Sequence, residues 1–228
     1  MNALDYDILH LLNGSDNPII DSMALILTDA YTWIPLYLML IFLVVHNNER
    51  WSHILLIISA AICCVSISSV ISEVICKPWV ARLRPMYTPE LYDTLDLVEG
   101  YSARGFSFFS SHAANTFSLA VFLSMLVRRR TFSMFIITWS LINCWTRLYL
   151  GAHFPSDILV GLLCGGIIGL ACYSVYLFFY KKISSKLHFI SNQYTSTGYS
   201  LTDIDIFLNV QVVIYVVIII CAIIKTVI

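Results

Sequence analysis

WSHILLIISAAICCVSISSVISEVICKPWVARLRP, residues 51–85, is the stretch from which the rest of the chain can be read. From Trp51 to Cys76 it is apolar apart from small hydroxyls, His53 and Glu73. That run exceeds the roughly 20 residues a helix needs to cross a bilayer. It then breaks into Lys77, Arg82, Arg84 and Pro85. A spanning helix that opens onto a cationic turn is the unit this segment specifies.

The same unit recurs on both sides. Upstream, residues 1–17 read as a short amphipathic interfacial helix, with Leu4, Ile8, Leu11 and Leu12 on one side and Asn13-Gly14 closing it. Asn17-Pro18 starts the next helix. Residues 19–32 carry Asp21 and Asp29 and lie at the interface or enter the membrane obliquely; the first span then runs to His46, with Pro35 permitting a kink. Downstream of the second span, a long polar connection reaches Phe109. The third span is His112 to Val127, ended by Arg128-Arg129-Arg130, and the fourth is Phe132 to Tyr149. Gly151 to Pro155 is a tight break, after which Ser156 caps a fifth span to about Tyr180. Gly161, Gly165, Gly166 and Gly169 of that span allow close helix packing. A polar loop from Lys181 to Asp203 leads to a sixth span over about 206–224. The expected fold is therefore all-α: a polytopic membrane helix bundle of six transmembrane helices plus an N-terminal interfacial helix. One domain covers 1–228, with its motif-bearing core at about 50–180.

Composition agrees. The chain has 228 residues, 59% apolar and 12% charged, which excludes a disordered tail and an ordinary soluble domain. A net charge of -1 offers nothing to nucleic acid. The seven cysteines all lie in apolar stretches without metal-ligand spacing to histidine, and read as core- or lipid-facing residues. Asp5 and Asp7 replace the basic region of a cleaved signal peptide.

Six spans put both termini on one side. Arg50, Arg128, Arg129, Arg130, Lys181, Lys182 and Lys186 fall on the other. The positive-inside bias makes that other side cytoplasmic, once Lys77, Arg84 and Arg147 are set aside as functional cations. Three polar clusters then share the extracytoplasmic face: Lys77 to Arg84, Ser110-Ser111-His112, and Arg147 to His153 and Asp157. Arg82 reads as a headgroup anchor beside them or a weak substrate contact, and the acidic stretch from Glu90 to Glu99 as a solvated face in preference to a sugar-headgroup contact.

The clusters suit phosphate-ester chemistry. Arg84 and Arg147 offer forked, permanently charged donors, and Lys77 adds a point charge. Ser110 and Ser111 open a helix, where a serine caps and free amides attract phosphate. Asp157 lies four residues after His153 and can fix the imidazole tautomer, leaving a ring nitrogen to attack phosphorus. His112 is placed to protonate the departing oxygen.

These residues resemble the type 2 phosphatidic acid phosphatase superfamily of membrane lipid phosphatases, whose fold is shared with vanadium haloperoxidases and bacterial acid phosphatases. The first family motif, lysine, six residues, Arg-Pro, is matched by Lys77 to Arg84-Pro85. The second, Pro-Ser-Gly-His, corresponds to Phe109-Ser110-Ser111-His112, with Phe109 loosening the turn and Ser111 either restricting the approach of a backbone amide to phosphate or offering an extra hydroxyl. The third, Ser-Arg, five residues, His, three residues, Asp, corresponds to Thr146-Arg147, His153 and Asp157. The resemblance implies His153 as nucleophile, His112 as acid, Asp157 as orienting carboxylate, and Lys77, Arg84, Ser110 and Arg147 as phosphate holders, with Ser111 joining them. It implies no metal and no cofactor. The implied activity is hydrolysis of a lipid phosphate through a phosphohistidine, at the periplasmic or exterior face of a bacterial inner membrane. Undecaprenyl diphosphate, lipid A phosphate, phosphatidylglycerol phosphate and phosphatidate are the substrates to expect. A phosphotransferase using the same phosphohistidine and a non-catalytic lipid-binding or transport protein are the alternatives.

Overall fold

The computed structural model describes residues 3–98, 100–183 and 192–227. Glu99 of the acidic stretch and Lys186 of the charge count lie outside them. The described residues fold as helices joined by turns and irregular connections, with no strand among them, in the order α1 Ala3–Leu12, α2 Pro18–Thr28, α3 Ile34–His46, α4 Trp51–Ser69, α5 Lys77–Val80, α6 Ser111–Val127, α7 Arg130–Tyr149, α8 Pro155–Ile183 and α9 Leu201–Val227. Among them, three stretches are long and apolar enough to cross a bilayer: Trp51–Leu91, Pro155–Ile183 and Leu201–Val227. The pair Pro18–Thr28 and Ala30–His46 makes a fourth if taken together across its 71° bend. Of the other helices, α1 is only 10 residues long, α6 is apolar but only 17 residues long, and α7 carries Arg130 and Arg147 towards its ends.

The first span breaks at Asp29 rather than at Pro35. Asp29 ends α2 with extended backbone, and its carboxylate accepts from the Tyr31 amide to begin the next turn. Pro35 falls in the first turn of α3, where its missing N–H would have had no helical acceptor. The fifth helix starts at Pro155, so Ser156 lies within it and is not its cap. From α1, Leu9 and Asp5 turn towards the protein. Leu9 is fully buried and Asp5 is 6% exposed, whereas Leu4 and Leu11 point outward.

The axis of the bundle is the seam between α6 and α8. A Cβ on Gly161, Gly165 or Gly169 would lie 2.7, 2.6 or 2.5 Å from the carbonyl oxygens of Ser110, Ala114 and Ser118. Only glycine permits that approach, and small residues of this kind are how helices meet closely where no hydrophobic effect drives them together. On the opposite side of α8, Leu159, Leu163 and Ile167 are each more than 60% exposed. Apolar side chains repeating every four residues on an outer face match a lipid solvent.

The polar connections gather at the two ends of the bundle. At one end the Ser200 amide donates to Asn47 and the His46 ring pairs with Asp203 at 2.8 Å. At the other end α1, the 81–110 connection and the α7–α8 turn converge, and the three motif clusters lie there.

Candidate active site

Local sequence dictates how each cluster reaches this end. The second span loosens into a π-helical turn over Val70–Cys76, a geometry frequent at functional sites. It continues into α5, which ends at Ala81 in the left-handed region at φ 49°. That reversal sends Arg82 and Arg84 back over the bundle. Ser110 caps α6, its hydroxyl accepting from the Ala113 amide. Gly151, at φ 61°, turns the chain out of α7 so that His153 and Asp157 come beneath Arg84.

His153 is 1% exposed. Its Nε2 lies 3.1 Å from Nη1 of Arg84. Arginine can only donate, so Nε2 is the acceptor and the ring proton resides on Nδ1. Nδ1 lies 3.3 Å from the Ser107 hydroxyl and 3.7 Å from Oδ2 of Asp157. Ser107 donates to that same carboxylate oxygen at 2.5 Å, and the Phe154 amide donates to it at 3.0 Å. The imidazole is thus held as one tautomer, with the lone pair on Nε2. Burial draws its pKa down to about 4 against the opposing pull of Asp157, and the charges of Arg147 and Arg84 reinforce the burial. The ring is neutral at physiological pH.

The cations are buried and aimed. Arg84 is 5% exposed, its guanidinium fixed by the carbonyls of Ala152, Arg104 and Gly105. Arg147 donates to the Thr28 hydroxyl at 2.5 Å, while its Nε has no partner among the described residues. Lys77 reaches Glu73 at 2.5 Å and the Ser111 hydroxyl at 3.2 Å. An unpaired buried guanidinium N–H and three clustered positive charges make a site for an oxyanion.

Ser111 also donates to Glu73 at 2.5 Å, so the hydroxyl that replaces the motif glycine is bound into the Lys77–Glu73 pair. Phe109, in place of the motif proline, does not leave the turn loose. It is 1% exposed and its carbonyl accepts from Ser72 at 2.9 Å. Ser110 is fully buried, and its own amide donates to the Asp157 carbonyl at 3.1 Å. The hydroxyl of Thr146 is spent within α7 on the Asn143 carbonyl.

His112 is unlike the rest. It is exposed, and no side-chain hydrogen bond is present among the described residues. It lies near enough to Arg147, Lys77 and Arg84 to experience their charges. It opens onto a cavity of about 750 Å³. Glu73, Ser111 and His112 line the polar end of this cavity, and Val44, Ile57 and Leu123 line the deep end between α3, α4 and α6. The walls between are apolar and aromatic, Trp33, Tyr37 and Trp139 among them.

Sequence reading missed three members of the site. Arg82 is no headgroup anchor: it donates to Asp157 Oδ1 at 2.7 Å and stacks 3.8 Å over the Phe154 ring. Ser107 lies between the first two motifs with nothing around it to single it out. Asp5 reaches the site from α1. The acidic connection, by contrast, is solvated as expected at Glu90, Asp93 and Asp96.

The family model described as the PAP2 superfamily matches residues 50–181. A lipid A 4'-phosphatase of Bacteroides thetaiotaomicron is 33% identical over 82% of this chain and 81% of its own length. A lipid A 4'-phosphatase of Porphyromonas gingivalis is 31% identical over 73% of this chain and 70% of its own. The crystal structure of Aquifex aeolicus LpxE superposes with a TM-score of 0.57 at 24% identity, covering 76% of this chain and 96% of that one. A PAP2-type phosphatidylglycerolphosphate phosphatase from Bacillus subtilis gives 0.58 at 20% identity, covering 82% and 90%. These two share the fold. The chain belongs to the PAP2 superfamily. It is an integral membrane enzyme, a lipid phosphatase.

Proposed function

We propose that this enzyme hydrolyses the phosphate of lipid A at the extracytoplasmic face of a bacterial inner membrane, through a phosphohistidine on His153. The observation that carries the reading is the cavity. At its polar end Glu73 and Ser111 accept hydrogen bonds from Lys77, and His112 lines the wall; its long apolar remainder fits an acyl chain, so a phosphate that reaches His112 through it arrives attached to a lipid. The two relatives named for lipid A support that headgroup among the four lipid classes.

In the proposed mechanism, Arg84, Arg147 and Lys77 hold the phosphate oxygens, with the first amides of α6 and the Ser111 hydroxyl beside them. Those amides have no intrahelical acceptor, and they face a developing negative charge. The lone pair of His153 Nε2 attacks phosphorus as the P–O bond to the lipid breaks. His112 gives its proton to the departing oxygen. Asp157 and Ser107 hold Nδ1–H and stabilise the positive ring that results. His112, now neutral, takes a proton from water, which attacks phosphorus and releases inorganic phosphate and His153. Water as the final acceptor separates this from phosphotransfer.

The deciding experiment is phosphate release by purified protein from lipid A, undecaprenyl diphosphate, phosphatidylglycerol phosphate and phosphatidate in detergent micelles. Lipid A is expected to be the fastest. No release from any of them rejects the reaction, and a faster second lipid rejects the headgroup.

The six-span topology and its orientation belong to the same proposal. In support, the motif clusters gather at the end of the bundle opposite Asn47 and Ser200. A cysteine at Asp96 should react with an impermeant reagent from the periplasmic side; labelling only from the cytoplasm would invert the arrangement.

A further inference from the structure

Asp5 is held more firmly than an acidic residue of an interfacial helix needs to be. It is 6% exposed. One oxygen accepts from the Ser156 amide at 2.9 Å, and the other from the Ser156 hydroxyl at 2.7 Å and from Arg82 at 2.9 Å. The other guanidinium arm of Arg82 donates to Asp157 Oδ1 at 2.7 Å and to the Ser156 hydroxyl at 2.8 Å. The result is a series running from Asp5 through Arg82 to Asp157, and from Asp157 to His153.

We propose that Asp5 is a positioning residue for catalysis, acting through Arg82 on the carboxylate that orients the nucleophile. The inference rests on the proposed reaction and adds the N-terminal helix to its machinery. Asp157 has two tasks that conflict with a single strong cation beside it. It must hold Nδ1–H of His153, and it must become a good counter-ion when that ring turns positive. Arg82 alone, at 2.7 Å, would draw the carboxylate's charge towards itself. Asp5 shares the guanidinium from its far side, so Asp157 keeps its charge for the imidazole. Geometry also matters: Arg82 is clamped between Asp5 and the Phe154 ring, which fixes Oδ1 and leaves Oδ2 aimed at Ser107 and His153. Asp5 lies behind Arg82 and Ser156 and is not among the residues that line the cavity.

The test is a double-mutant cycle on the purified full chain, with lipid A in mixed micelles and His153→Ala as the control that the reaction is the proposed one. Parent activity that survives His153→Ala would remove the underlying mechanism, whatever Asp5 does. With that control clean, Asp5→Asn should lower kcat about 10-fold, the lower end for partners that orient a functional histidine, and leave KM unchanged. In an Arg82→Met background the same substitution should cost nothing further, because groups acting in series are not additive. Asp5→Glu serves for the same cycle if the asparagine variant does not accumulate. Leu9→Ala loosens the same helix while keeping the carboxylate. It should lower Tm yet retain more kcat than Asp5→Asn. A kcat for Asp5→Asn equal to the parent's, an undiminished loss in the Arg82→Met background, or equal kcat losses in Asp5→Asn and Leu9→Ala at equal loss of Tm would each overturn the assignment.

Discussion

Around His153 both ring nitrogens are held, by Arg84 on one side and by Ser107 and Asp157 on the other. Around His112 there is an open cavity and no side-chain hydrogen bond among the described residues. His112 stands in the first turn of α6 and His153 in the turn that leads into α8, two helices packed at glycine distance, yet their surroundings could hardly differ more. The difference follows from their proposed tasks. A nucleophile gains from being fixed before substrate arrives, since its lone pair must point at one place. A general acid must meet an oxygen that comes with the lipid, so its partner is supplied by the substrate and not by the protein. Burial on one side also keeps His153 neutral, and the open side leaves room for a leaving group and then for water.

Substitutions at the two rings would break or sharpen that contrast. The largest effect is expected from His153→Ala, which should abolish phosphate release while the protein remains folded in detergent; substantial remaining turnover would end the nucleophile assignment. His153 also sets an acid limb. Its pKa of about 4 lies below the ordinary value, so protonation removes the lone pair only near that pH, and kcat/KM should fall as pH drops through it. The same depression makes the folded state lose stability as pH falls from the ordinary histidine range of about 6.5 towards 4, because the unfolded chain takes up the proton first.

His112→Ala should come next, lowering the rate by about two to four orders of magnitude, the usual scale for a general acid. Poor leaving groups should suffer more than good ones. Equal losses for both would remove the acid role and with it the contrast between the rings. The smallest effect is expected at Ser107→Ala, which deletes the hydroxyl between Nδ1 and Asp157 Oδ2. A drop of about 10-fold in kcat with KM unchanged is the expectation for such a supporting hydrogen bond. A rise in KM alone would instead place Ser107 against the substrate.

Much of this architecture was legible along the chain, and the parts that were not have a common cause. Three of the six expected spans and the glycine seam of α8 follow from hydropathy and small-residue spacing, and motif spacing and the family resemblance mark the three polar clusters. The break at Asp29 was harder to see, because Pro35 supplies the louder signal while a first-turn proline disturbs nothing. Which side of α1 meets the protein has no signal along the chain for a related reason: its leucines can satisfy either a lipid surface or a protein one. Ser107 and Asp5 gave no local signal at all.

The amino-acid sequence by itself determined where the apolar segments lie and which side chains could grip and cleave a phosphate ester, because hydropathy, capping and motif spacing act over a few residues. Only the tertiary structure decided that Arg82 would face Asp157 and that Asp5 would stand behind it, across sequence separations of 75 and 77 residues. Charge pairs of that range depend on which helices pack together, and packing is settled by the fit of whole surfaces such as the α6–α8 seam, not by any stretch read alone.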